Sequence, residues 1–418
     1  MPSDTHELVD HLFRHQAGQM VAWLTRIFGP AHLELVEEVV QDALVKALQQ
    51  WPFSGVPDNP AGWLFAVARN GALDVLRRST AFSDRAPAIA AELQARASPE
   101  TQMPDGVNDD ELRMVFMCCH PELPRDGQVA LSLKTVCGFS TAEIARAFLT
   151  SEATVAQRIV RAKRTVRDKR IPFDLPRASL LVERLESVLE VIYLMFNEGY
   201  AAHAGEALVR RDLCREAIRL GRLVATSPLT GGPSAHALTA LMALHAARIP
   251  ARLSPSGEMV LLEDQDRSLW DGQLIAMGFA HFERSISGLD RTVYHLQAAI
   301  AAIHAAACSY EDTDWKRMLD TYDELLTLNP SPVVALNRAV VQARVEGAAA
   351  ALRAVARLEA EPALADYYLV PSVRGALLKE AGDHAGAALA FEEALRRRCS
   401  EPEKRFLLRR LSDSRAHS

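Results

Sequence analysis

Apolar residues recur at three-and-four spacing along most of the chain, the pattern of amphipathic helices; only residues 258–262 hint at a strand. Residues 5–28 and 32–50 give the first two helices, the second with Leu33, Val36, Val40, Ala43, Leu44, Ala47 and Leu48 on its apolar stripe and acidic and polar residues opposite. Pro52, Pro57 and Pro60 interrupt this pattern. Asn59-Pro60 then supplies a cap and a proline at the first helical position, opening a third helix that runs to about Arg78. Periodicity disappears over residues 79–108, where Pro87, Pro99, Pro104 and Gly106 mark a linker.

Helical spacing returns at about 109–119 and 128–136. Cys137-Gly138-Phe139 breaks it just before Ser140, which is followed three residues later by Glu143: a capping box that opens a short helix over 141–148. Ser151 caps a longer helix reaching Arg170, which Pro172 and Pro176 end. Two short-spaced helices, the second basic, predict a helix-turn-helix; an ordinary helical hairpin is the plainer alternative. Further helices fill 178–287, punctuated by Asn197-Glu-Gly-Tyr, Gly231-Gly-Pro and residues 250–257. From about Asp290 a weak repeat emerges. Gly375, Gly382, Asp383, Ala387, Phe391 and Ala394 fall at the offsets of the 34-residue tetratricopeptide unit, and Ala306, Tyr322, Leu325 and Pro330 fit the same frame less closely. Such hairpins must stack to bury their apolar faces.

Composition supports an all-α chain of several domains: 418 residues, 49% hydrophobic, 24% charged and 6% aromatic. Six cysteines without a paired spacing predict reduced thiols and a cytoplasmic protein. No leader is evident, and no apolar run reaches the ~18 residues of a membrane span. The net charge of -6 argues against coating nucleic acid indiscriminately, but Arg158, Arg161, Lys163, Arg164, Arg167, Lys169 and Arg170 face only Asp168 within their stretch. That run suits a phosphate backbone, or a merely solvated face. Cys118, Cys119, His120 and Cys137 lack zinc-site spacing, and Glu263, Asp264, Asp266 and Asp271 with His245 or His281 are explained by caps and surface charge. Neither an enzyme, a metal nor a cofactor is expected. Asp264 to Arg267 is expected to brace the middle domain or its contact with what precedes it.

The stretch from Gly138 to Arg164, Gly-Phe-Ser-Thr-Ala-Glu-Ile-Ala-Arg through Val-Ala-Gln-Arg-Ile-Val-Arg-Ala-Lys-Arg, resembles the fourth conserved region of sigma factors. Val36-Glu-Glu-Val-Val-Gln-Asp-Ala-Leu-Val-Lys-Ala-Leu resembles the sigma helix that docks on the polymerase β′ clamp, and Asn59-Pro-Ala-Gly-Trp-Leu-Phe-Ala-Val-Ala-Arg-Asn-Gly-Ala-Leu-Asp-Val-Leu-Arg-Arg the segment that opens the −10 element. In order and at family spacing, these segments identify residues 8–170 as similar to sigma-70 factors of the extracytoplasmic-function (ECF) type. The remainder resembles the tetratricopeptide-like extension of one ECF subgroup.

The resemblance implies partners and site residues. Core RNA polymerase, through its β′ clamp and β subunit, would meet Glu38, Gln41, Asp42 and Lys46. The −10 DNA would meet Arg69, Asn70, Asp74, Arg77 and Arg78, while Trp63 packs in the core. Thr154, Gln157, Arg158 and Arg161 would face the −35 element, with Lys163, Arg164 and Arg167 on phosphates. Leu149 stands where the family has a turn glycine, and Ala156 where it has a polar or basic residue. The implied layout is a sigma region 2 domain (1–80), a linker (81–108), a region 4 domain (109–172), a helical middle domain (178–288) and repeats (289–418), the last able to hold a protein or peptide. Two other readings stay open. One is a tetratricopeptide-containing DNA-binding regulator that never replaces a sigma factor; the other is a peptide-binding helical scaffold.

Overall fold

The computed structural model describes residues 16–78, 87, 89–91, 107–148, 150–200, 211–254, 258–288 and 291–417. Leu149 and the greater part of the expected linker, like residues 5–15 of the first expected helix, lie outside them. The chain divides into two compact units, Met1–Leu194 and Met195–Ser418. Among the described residues the secondary structure is helical throughout. The hint of a strand at 258–262 reduces to one isolated antiparallel bridge, Leu253 to Met259.

In the first unit, α1 (residues 16–28), α2 (Leu33–Ser54) and α3 (Pro60–Arg78) pack around Trp23, whose ring lies 5.6 Å from that of Phe65. The stripe of α2 differs in detail from the sequence expectation. Val39 and Trp51 are buried, whereas Leu48 is 61% exposed. Pro52 does not end the helix, which continues to Ser54 and stops at Gly55, where φ is 81°. Pro52 lacks an N–H to donate to the Leu48 carbonyl, a bond that water can replace in this exposed last turn. Within the expected linker, residues 89–91 are helical and Ile89 is buried, and the next helix already begins at Val107.

Four helices follow: α4 (Val107–Cys118), α5 (Arg125–Thr135), α6 (Thr141–Ala147) and α7 (Glu152–Asp168). Their core contains Phe116, Leu133, Phe139, Val155 and Ile159. Cys118 and Cys119 belong to it. Cys118 Sγ meets Thr135 Oγ1 at 3.4 Å and Cys119 Sγ meets Ser132 Oγ at 3.7 Å. Burial pushes the Cys118 thiol far up and that of Cys119 up to about 12, so both stay protonated packing groups. The first part of α8 (Ala178–Tyr200) closes this core: Arg184 donates to the Phe116 carbonyl at 2.6 Å, and Arg125 donates to Ser187 and pairs with Glu190.

In the second unit, α9 (Arg211–Thr226), α11 (Gly272–Ser285) and α12 (Val293–Ala306) pack around α10 (Pro233–Ala246). Residues 237–244 of α10 are all buried, as befits a helix that is apolar on every side. The rest continues as successive neighbours: α13 (Trp315–Leu328), α14 (Pro332–Glu346), α15 (Ala348–Leu358), α16 (Leu369–Glu380), α17 (His384–Arg396) and α18 (Glu401–Arg415). Gly375 matters here because a Cβ at that position would come 2.9 Å from the Phe391 ring; the small residue admits the aromatic between α16 and α17. Arg267 binds α12 to the segment before α11, donating to the carbonyls of His304 and Ala307 at 2.6 Å each. Asp266 and Asp271 are occupied as caps, accepting from Ser268 N and from Gln273 and Leu274 N.

Candidate nucleic-acid interface

The helix-turn-helix is built by two local devices. Ser140 Oγ accepts from Glu143 N at 3.2 Å while Glu143 Oε2 accepts from Ser140 N at 2.8 Å, fixing the start of α6. Ser151 Oγ accepts from Thr154 N at 3.1 Å and starts α7. Val155, Ile159, Ala162 and Val166 then form the buried seam of α7, which fixes what the opposite face can present.

That face carries Gln157, Arg161, Arg164 and Arg167, all exposed. It also carries Val160, 59% exposed, which the sequence analysis did not single out. The signal was available: Val160 falls out of phase with 155, 159, 162 and 166. Three expected DNA contacts are otherwise engaged. Thr154 shares its hydroxyl with Ser151 at 2.8 Å. Arg158 is half-buried and pairs with Asp126 at 2.9 Å. Lys163 points away from the outer face, its ammonium 2.5 Å from Glu37 Oε2. Arg164 and Arg167 share Asp168 at 3.2 and 3.4 Å, exposed pairs that cost little to break.

On α3, Asn59 Oδ1 accepts from Gly62 N at 2.9 Å, so the helix starts where its sequence indicates. Trp63 packs edge-on against Trp51 at 5.5 Å. Asn70, Asp74, Arg77 and Arg78 are exposed along the second half of the helix, with Arg69 half-buried beside Asn70. Asp74 and Arg77 form a surface pair at 3.4 Å.

Glu38, Gln41, Asp42 and Lys46 share the exposed side of α2. Glu38 and Gln41, with Glu34 and Glu37, line a cavity of about 590 Å³ whose other wall holds Lys134, Glu143 and Lys163 from the helix-turn-helix part. Asp42 and Lys46 lie outside it. The two halves of the first unit therefore meet across the expected polymerase face. Arg26 pairs with the buried Asp110 at 3.1 Å, and a methyl group at Gly18 would overlap the Val136 carbonyl oxygen.

Comparison with known proteins follows the same division. Residues 12–82 match the Sigma-70 region 2 family, residues 113–166 match Sigma-70, region 4, and residues 184–286 match a family of unknown function, DUF6596. An uncharacterized protein of Rhizobium meliloti (strain 1021), R00370, is 43% identical over 380 residues, 90% of this chain and 89% of the relative. The ECF RNA polymerase sigma factor SigL of Mycobacterium tuberculosis is 30% identical over 161 residues, 38% of this chain and 87% of SigL. No solved structure matches the chain. The middle of the chain thus falls in a family of its own, and no tetratricopeptide assignment accompanies these matches. With region 2 and region 4 in order, both built around intact helical cores, and with nearly the whole of SigL aligned, the chain belongs to the sigma-70 family of RNA polymerase sigma factors, in its ECF group.

Proposed function

We propose that the protein directs core RNA polymerase to specific promoters by binding, without a catalytic step of its own, and that its C-terminal half modulates this activity. The observation that carries the reading is the outer face of α7, where Gln157 and Arg161 stand exposed one turn apart above a buried seam. Glutamine and arginine make paired hydrogen bonds to single bases in the major groove. Val160 between them suits a thymine methyl group. Arg164 and Arg167 hold flanking phosphates once Asp168 releases them, and Lys163 and Arg158 join only when Glu37 and Asp126 let go.

Asn70, Arg77 and Arg78 on α3, with Arg69 and Asp74 beside them, receive the −10 strand. Strand opening then follows from tighter binding to separated than to paired DNA. Glu38, Gln41, Asp42 and Lys46 on α2 receive the β′ clamp, and the helix-turn-helix part the β subunit. Because Glu38 and Gln41 face the helix-turn-helix part across a cavity, docking on the polymerase requires the two halves of the first unit to part. The protein acts in the cytoplasm; no helix of the described residues is long and apolar enough to cross a membrane. The stacked helices after residue 289 form a tetratricopeptide-like array for a protein or peptide partner.

Copurification with core polymerase tests the reading. The intact chain is expected to be retained by immobilised core enzyme and Asp42→Arg to be lost from it. Equal retention of both would remove α2 from the interface, and retention of neither would remove the polymerase.

A further inference from the structure

A cavity of about 240 Å³ opens in the second unit between α9, the end of α10 and the start of α11. Its rim carries Arg211, Arg215 and Arg222, all exposed. Helical geometry sets these three within about 40° of one another around α9, so they line one side of the helix over about 16 Å. The wall beneath is apolar, formed by Ile218, Ile249 and Leu274. Arginines on an ordinary solvated face sit over a convex polar surface; here they border a concave apolar one.

The charges at this site are not balanced. Arg219, also in the lining, is held by Glu216 at 2.9 Å. The carboxylate in the lining, Asp271, is turned to cap α11 through Gln273 N and Leu274 N at 2.9 and 3.1 Å. Among the described residues no ion pair engages Arg211, Arg215 or Arg222. In a chain of net charge -6, a concave site with three guanidiniums that form no ion pair among the described residues needs a reason.

We infer that this cavity binds a small amphipathic anion: an oxyanion head, carboxylate or phosphate, on a short apolar body. The head group lies in the arginine fork, where planar guanidiniums offer paired hydrogen bonds to oxyanions. The apolar body covers Ile218, Ile249 and Leu274. The volume is below the ~300–1,000 Å³ of sites for drug-sized ligands, which restricts the ligand to a small molecule. Cys214 lines the same cavity, but burial raises its thiol to about 12, so the site binds and does not react. The site lies within residues 184–286, the family without an assigned function.

Calorimetric titration of the full chain tests this with hexanoate, hexyl phosphate, inorganic phosphate and hexyltrimethylammonium as probes. Hexanoate or hexyl phosphate is expected to bind one to one, and the tighter of the two identifies the head group. Arg215→Ala combined with Arg222→Ala should weaken that binding at least about tenfold without changing the melting temperature, since each charged hydrogen bond lost contributes about that factor or more. The double lysine variant should retain part of the affinity. The inference fails if neither anion binds, if the cation binds as well, or if the double alanine variant binds as the parent does. It fails equally if inorganic phosphate binds as tightly as hexyl phosphate, which would leave an adventitious ion only. The readout is binding, so either result stands apart from whether the protein initiates transcription.

Discussion

The ammonium of Lys163 lies 2.5 Å from Glu37 Oε2, joining α7, the second helix of the helix-turn-helix, to α2. Both side chains are largely withdrawn from water, at 13% and 17% exposure, so removing one partner costs more than it would at a surface pair. Glu37→Gln leaves the Lys163 charge without its partner and is expected to cost about 1–3 kcal/mol. Hydrogen exchange should show faster exchange along α7, and Glu37→Lys combined with Lys163→Glu should restore part of the protection. Unchanged exchange in Glu37→Gln would show that the pair does not hold the two helices together.

Gly18 makes a further contact between these halves, beside Lys163–Glu37 and Arg26–Asp110. A methyl group there would overlap a backbone carbonyl, that of Val136, which cannot turn aside as a side chain can. Gly18→Ala is therefore expected to destabilise the first unit by about 1–3 kcal/mol, the usual cost of overpacking. Denaturant unfolding measures this as a lower midpoint. An alanine variant as stable as the parent would mean that α1 and the end of α5 do not approach so closely.

On α7, Arg161→Ala and Arg164→Ala should behave differently. Losing Arg161, on the face proposed to read bases, should cost about 1–3 kcal/mol and relax discrimination at one base pair. Losing Arg164 should weaken all promoters alike and lower the salt dependence by about one phosphate contact. Competition binding of the polymerase complex to promoter variants at several salt concentrations separates the two outcomes.

Stability should fall in mild acid. His281 is buried with its Nδ1 2.8 Å from that of His236 and with Arg222 and Arg284 nearby; burial first, then these neighbours, lower its pKa to about 4. His245 and His304 are lowered to about 3 by burial and by Arg248, with Arg252 also acting on His245 and Arg267 on His304. All three start from 6.5 when unfolded. The folded chain keeps them neutral, so the unfolded chain binds the extra protons. Stability is complete above about pH 6.5 and is lost as pH falls toward 4 and then 3, by at most about 1.4 kcal/mol per pH unit and group. The melting temperature should drop between pH 7 and pH 5, with a shallower slope in His281→Phe. A flat profile would show that these histidines protonate freely in the folded state.

Helices whose ends are set by neighbouring residues were legible from the sequence. Ser140 with Glu143, Ser151 and Asn59 satisfy backbone groups within three residues, and the sequence contains both partners side by side. What depends on distant partners was not legible. Which of Val39 and Leu48 is buried depends on how α1 and α3 sit against α2. That Lys163 turns toward Glu37 depends on a residue 126 positions away. Val160 shows the opposite case. Its exposure is implied by the phase of Val155, Ile159, Ala162 and Val166 around it, a pattern the sequence already contains. The arginine-lined cavity needed α9, α10 and α11 brought together before Arg211, Arg215 and Arg222 meant more than a basic helix face.

Transcription by core RNA polymerase supplied with this protein on fragmented genomic DNA, with start sites mapped, tests the central claim most directly. Specific starts that appear only with the protein, and that weaken with both Asp42→Arg and Arg161→Ala, are the predicted result. Absence of specific starts from a preparation in which the protein is bound to core polymerase, or starts unaffected by both substitutions, would contradict it.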